Sequence, residues 1–87
     1  MPAEIILTNK KVVVRWLDAK IYTGMHKVND ALGREMDIFE SLGYLVDKND
    51  RATKIAHEIT DNGEYRGILL IPSGSVISVQ ELTVLTV

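Results

Sequence analysis

Residues 65–82 read Y-R-G-I-L-L-I-P-S-G-S-V-I-S-V-Q-E-L, and the fold turns on how this stretch divides. Ile68, Leu69, Leu70 and Ile71 form an unbroken apolar run, the pattern of a strand covered on both faces. Pro72 has no N–H to give to an interior ladder, so the strand is expected to stop there. Ser73, Gly74 and Ser75 supply one tight turn. From Val76 the strand pattern resumes, with Ile77 and Val79 alternating against Ser78 and Gln80. A strand, a one-turn corner and a second strand let a small sheet bend sharply enough to close on itself.

Upstream, Asp61-Asn62-Gly63 is a strong hairpin signal, because Asn-Gly tolerates the positive φ a tight turn needs. Before it, Thr53, Ile55, His57 and Ile59 alternate with Lys54, Ala56 and Glu58, as in a half-buried strand. The polar segment 47–50 reads as a turn. Residues 36–46 have the strand period, with Ile38, Leu42, Tyr44 and Val46 on one side and Phe39, Ser41, Gly43 and Leu45 on the other. Gly43 inside that strand marks a bend where a Cβ would crowd the opposite sheet.

The first third of the chain differs. Residues 4–8 (E-I-I-L-T) read as a short edge strand, followed by a turn at Asn9, Lys10 and Lys11. Residues 12–17 (V-V-V-R-W-L) are β-branched and carry the only Trp, so they form the first main strand. Residues 18–27 are irregular. Val28, Ala31 and Leu32 then follow helical spacing, predicting a short helix with Thr23 as a cap residue and Gly33 as its end. So short a helix is expected to lay its apolar edge on the sheet. The whole is one domain over residues 1–87: an all-β, five-stranded barrel or rolled sheet, strongly bent at its corner, with one short helix between the first and second main strands.

Composition narrows the function. Eighty-seven residues with no cysteine leave no disulfide, thiol nucleophile or thiolate metal site. A domain this small buries only about 60–65% of its unfolded-chain surface, so association would help it. No apolar run approaches a membrane span, and no basic leader opens the chain. A cytoplasmic location without membrane contact is expected. Net charge is −2, with six bases and three acids in residues 1–34 and four bases and nine acids after them. This balance argues against strong phosphate binding, and no DNA partner is expected.

No chemistry-bearing constellation stands out. His26 and His57 lack metal-ligand spacing and read as a loop histidine and a half-buried strand histidine. Ser73 and Ser75 flank a glycine but do not form a nucleophile elbow. The acids Asp47, Asp50, Glu58, Asp61 and Glu64 lack calcium-loop spacing. Trp16 reads first as a core residue, with a base-stacking platform as the alternative. Neither an enzyme, a metal nor a cofactor is expected.

With these elements placed, the chain resembles the Sm-like family of small bent barrels. Gly43-Tyr44-Leu45-Val46-Asp47 looks like that family's glycine, apolar, aspartate run. Residues 55–58 are similar to its next apolar strand, and residues 71–79 (I-P-S-G-S-V-I-S-V) to its second signature. Residues 12–19 are similar to its first strand. The helix departs from the family by following the first strand, and Pro72-Ser73 stands where the family has Arg-Gly. The resemblance implies a homo-oligomeric ring, with the fourth strand of one copy pairing with the fifth of the next through Ile68, Leu70, Ile77 and Val79. It also implies a second reading, an RNA-binding ring using Lys48, Asn49, Arg51, Ser73, Gly74 and Ser75 near a pore. A monomeric, peptide-binding SH3-like domain is the third.

Overall fold

The computed structural model describes residues 10–83. The edge strand expected over residues 4–8 lies outside them. Five antiparallel strands form one sheet: β1 (Lys11–Leu17), β2 (Ile38–Lys48), β3 (Ala52–Ile59), β4 (Tyr65–Pro72) and β5 (Val76–Glu81). Their order across the sheet is β4-β3-β2-β1-β5. A short helix α1 (Val28–Leu32) falls between β1 and β2, and a 3-10 turn (Ser73–Ser75) joins β4 to β5. The first and last strands of the sheet are therefore connected by three residues. No strand of the same chain lies beyond either of them among the described residues.

β2 holds the sheet together by changing partners. Ile38 to Tyr44 pair with β1, while Tyr44 to Lys48 pair with β3. Gly43 stands at the hand-over. A Cβ there would come within 2.7 Å of the Ala56 carbonyl oxygen and 3.2 Å of Ile55 Cβ. The crowding thus comes from the adjacent strand β3 rather than from an opposite sheet. Val12, Val14, Ile55 and Ile71 form the buried core, with Trp16, Leu45, Leu69, Val76 and Val79 packed around it.

Two irregularities in the ladders exchange faces that strict alternation would assign. In β5, Ser78 pairs with Arg15 but Val76 pairs with Trp16, leaving Ile77 as the extra residue. Val76 and Val79 then both reach the core, and Ile77 points outward. In β2, Val46 is the extra residue between Leu45 and Asp47. The expected pattern of β3 also fails at its middle. Ala56, between Tyr44 and Ile68 on the neighbouring strands, is fully buried, whereas His57 is exposed.

The run in β4 is covered on one face only. Ile71 is buried and Leu69 half-buried, but Ile68 and Leu70 remain 45% and 58% exposed. An outer strand of a single sheet has only one face against the core. The helix corrects the sequence reading in two ways. Its N-cap is Lys27, without a side-chain cap, rather than Thr23, because Gly24 at φ +87° breaks the backbone between them. Val28 and Leu32 do not lie on the sheet but face solvent. Gly33 does end the helix.

Between β3 and β4, the Thr60 N–H donates to the Glu64 carbonyl at 2.8 Å and the Gly63 N–H to the Thr60 carbonyl at 3.0 Å. Gly63 takes the positive φ the turn requires. Beyond the turn, Arg66 Nε and Nη2 donate to Glu58 Oε1 and Oε2 at 3.0 and 2.6 Å. These hydrogen bonds, and then the Arg66 charge, hold the Glu58 carboxyl below the ordinary carboxylate range. The pair is solvent-exposed and adds little stability. What it adds is present above the unfolded Glu pKa and is lost as pH falls through the lowered value. In Arg66→Gln, an NMR titration of Glu58 is expected to move back up; an unchanged titration would show that the pair does not form in solution.

Candidate functional site

The β2–β3 turn and the β4–β5 corner meet. The Ser73 N–H donates to the Arg51 carbonyl at 2.9 Å, and Ser73 Oγ donates to the Asn49 carbonyl at 2.8 Å. Residues 24 positions apart in sequence are thereby locked together. Around them lie two shallow depressions sharing Asn49. One, of about 280 Å³, is lined by Lys48, Asn49, Thr53, Ser73 and residues 76–79. The other, of about 470 Å³, is lined by Asn49, Arg51, Ala52, Lys54, Leu70 and Pro72.

The side chain of Asn49 is already committed. Its Oδ1 accepts from the Arg51 and Ala52 N–H groups at 2.8 and 3.0 Å, and its Nδ2 donates to Asp47 Oδ2 at 2.8 Å. This is an Asx-type turn, in which a short polar side chain substitutes for a backbone partner. Asn49 shapes the loop, and reading a base edge with its amide would require breaking these bonds.

Of the residues singled out from sequence, Lys48, Asn49 and Ser73 share one depression. Arg51 lies across the turn, beside Lys54, which sequence reading did not select. Lys54 sits in the strand alternation of β3 and carries no loop signal of its own. Gly74 and Ser75 form the corner but line neither depression. Gly74 is open: a Cβ there would meet nothing within 4 Å.

Trp16 is a packing residue. It stacks on Phe39 with ring centroids 5.3 Å apart, donates from Nε1 to Ser41 Oγ at 3.1 Å, and borders the core. His26 lies against the Tyr22 and Thr23 carbonyls in the loop before α1. Among the described residues no group of three or more His, Asp or Glu could hold a metal ion, and no helix is long and apolar enough to cross a membrane.

The edge of β5 away from β1, which has no neighbouring strand among the described residues, has a defined orientation. The Leu45 N–H donates to the Lys10 carbonyl, and the Leu82 N–H donates to the Lys11 carbonyl, each at 2.7 Å. Along β1, alternate residues therefore bond to β2 and to β5. Val14 falls in the set that bonds to β2, and Val79 is its partner on β5. The N–H and C=O of Val79, and likewise those of Glu81, consequently point away from β1. Of the proposed assembly residues, Ile68, Leu70 and Ile77 are bare apolar side chains on the outer strands, whereas Val79 packs inward and offers its backbone.

Comparison with family models, with curated proteins and with solved structures finds no match.

Proposed function

We propose that this chain is a non-enzymatic module of Sm-like type that assembles into a ring, β4 of one copy pairing with β5 of the next. One observation carries the reading: both outer strands of the sheet lack a neighbour among the described residues and meet at a three-residue corner. An unguarded apolar edge is a hazard unless another chain covers it. Here Ile68, Leu70 and Ile77 are exposed and no lysine interrupts either strand. In this reading the sheet curls into a bent SH3-like barrel, and each copy extends its neighbour's sheet. A head-to-tail contact of this kind closes into a ring when its rotation allows. Light scattering at micromolar concentration is expected to give a multiple of the chain mass of about 10 kDa. The monomer mass would overturn the assembly and leave a monomeric interaction domain.

A second reading, an RNA-binding ring, draws support from Lys48, Asn49 and Ser73 meeting at the corner with Arg51 and Lys54 alongside. Asp47 and Asp50 offset part of this charge, so affinity is expected to be weak and to fall with salt. Replacing Lys48 and Arg51 together by Glu is expected to abolish binding of oligo-U. Tight binding that persists in this double variant would move the surface elsewhere, to the basic first third of the chain.

A further inference from the structure

We propose that the ladder between copies is short and held in one register, Leu70 opposite Val79 and Ile68 opposite Glu81 of the next copy, with Gly67, Pro72 and Ile77 as its stops. This rests on the edge pairing of β4 with β5 proposed above and adds its direction, its length and its ends.

The backbone of β4 turns outward over a few residues only. The Ser73 N–H donates to the Arg51 carbonyl, one step beyond the facing residues Ala52 and Pro72. Alternate facing pairs of an antiparallel ladder exchange backbone bonds. Ile71 and Leu69 therefore bond to β3, while Pro72, Leu70 and Ile68 turn their backbone groups to the outer edge. Pro72 has no N–H, which ends the row of donors at the corner. At the other end of the hairpin, the Thr60 N–H donates to the Glu64 carbonyl, which places Arg66, facing Glu58, in the set bonded to β3. Odd-numbered residues thus bond inward near the corner and even-numbered ones near the hairpin turn, although the register does not shift.

The change of phase falls at Gly67. His57 and Gly67 are the one facing pair missing from the β3–β4 ladder, and Gly67 has φ +72°. A Cβ there would also stand 3.0 Å from His57 Cδ2. A partner strand of regular alternation can follow Ile68 and Leu70 but loses step beyond Gly67.

The edge of β5 is limited in the same way. Val79 and Glu81 turn outward, and the extra residue Ile77 breaks the alternation on the corner side. Each edge therefore offers a matching pair of outward residues. In the antiparallel register of Leu70 with Val79 and Ile68 with Glu81, each of these N–H and C=O groups finds a partner. A slide of two residues one way sets Val79 opposite Pro72, which has no N–H. A slide the other way sets Leu70 opposite Ile77, inside the bulge.

Side chains choose the direction. Facing residues of an antiparallel pair share a face of the sheet, so Leu70 comes beside Val79, at the border of the neighbour's core. The exposed Ile68 and Leu70 then lie on the face that this core occupies. In a parallel pair Leu70 would share a face with Gln80, which is exposed, and would stay in water. Stops at the ends of a short ladder also limit open-ended pairing of the edges.

The chain has no cysteine, so engineered pairs read the register. Facing residues of a bonded pair have Cα atoms about 5.5 Å apart, within reach of a disulfide. After mild oxidation, Leu70→Cys with Val79→Cys in one chain is expected to run on a denaturing gel as covalent multiples, and so is Ile68→Cys with Glu81→Cys. The offset pair, Leu70→Cys with Glu81→Cys, is expected to stay at the mass of one chain. Preferential linking of the offset pair would overturn the register. A disulfide formed within one chain, or no link in either aligned pair, would overturn the ladder. Amide exchange gives a second readout: Ile68 and Leu70 are expected to exchange slowly in wild type and fast in Val79→Pro, with Leu69 and Ile71 slow in both. Fast exchange of Ile68 and Leu70 in wild type would also overturn the ladder. A wild-type monomer mass in light scattering sinks the edge pairing as a whole, whereas a multiple mass with offset linking sinks this register alone.

Discussion

Gly43→Leu is expected to lower the stability of the fold by about 1–3 kcal/mol, through overpacking against β3 where β2 passes from one partner to the other. The first atom a side chain would meet is the Ala56 carbonyl oxygen, 2.7 Å from where the Cβ would stand. That oxygen belongs to the backbone of β3 and cannot rotate out of the way like the end of a flexible side chain. Relief requires β2 and β3 to separate at the point where β2 passes from one partner to the other. A domain of this length has a total stability of about 4–13 kcal/mol, so the loss would be a visible fraction of it. Chemical denaturation reads the effect as a lower midpoint. Gly43→Ala should fall between the two, because the clash begins at the Cβ. Gly74→Ala, with open space around it, is the control and should leave the midpoint near wild type. An unchanged midpoint in Gly43→Leu would mean that β2 and β3 do not approach closely there.

Val79→Pro is expected to dismantle the proposed edge-paired assembly while leaving the chain folded. The orientation of the backbone makes the two effects separable. Val79 turns its N–H away from β1, so proline removes a donor from the outer edge of β5 without breaking a bond of the β1–β5 ladder. Part of the side chain's packing against the core is retained, since proline keeps three side-chain carbons. Ser78→Pro is the opposing control. Ser78 pairs with Arg15 in the set that bonds to β1, so proline there should weaken the fold itself. Light scattering with circular dichroism distinguishes the cases. Val79→Pro with the wild-type mass and spectrum would show that the outer edge of β5 is not an assembly surface.

The order of elements was legible in local sequence. The corner at Pro72 to Ser75, the Asn62-Gly63 hairpin and the helix end at Gly33 are carried by residues whose own backbone preferences point one way. The candidate site was legible only in part. Lys48, Asn49 and Ser73 were identifiable as turn residues, but their meeting depends on the hydrogen bonds from Ser73 to Asn49 and Arg51. The occupied amide of Asn49 and the addition of Lys54 follow from that loop geometry, and no spacing in the sequence encodes them.

Hydrophobic periodicity by itself determined that the chain is built of strands, where they begin and end to within a few residues, and that one short helix interrupts them. Which face each residue occupies was decided by tertiary structure. An alternating pattern assumes an unbroken ladder, and one extra residue at Ile77 or Val46 exchanges inside for outside beyond it. Whether such a residue is inserted depends on the register of a strand far away in sequence. The same holds for coverage. Ile68, Leu70, Val28 and Leu32 all read as residues to be buried, and all are exposed. Apolar character records that a side chain favours leaving water, but only the arrangement of the strands decides whether this chain covers it.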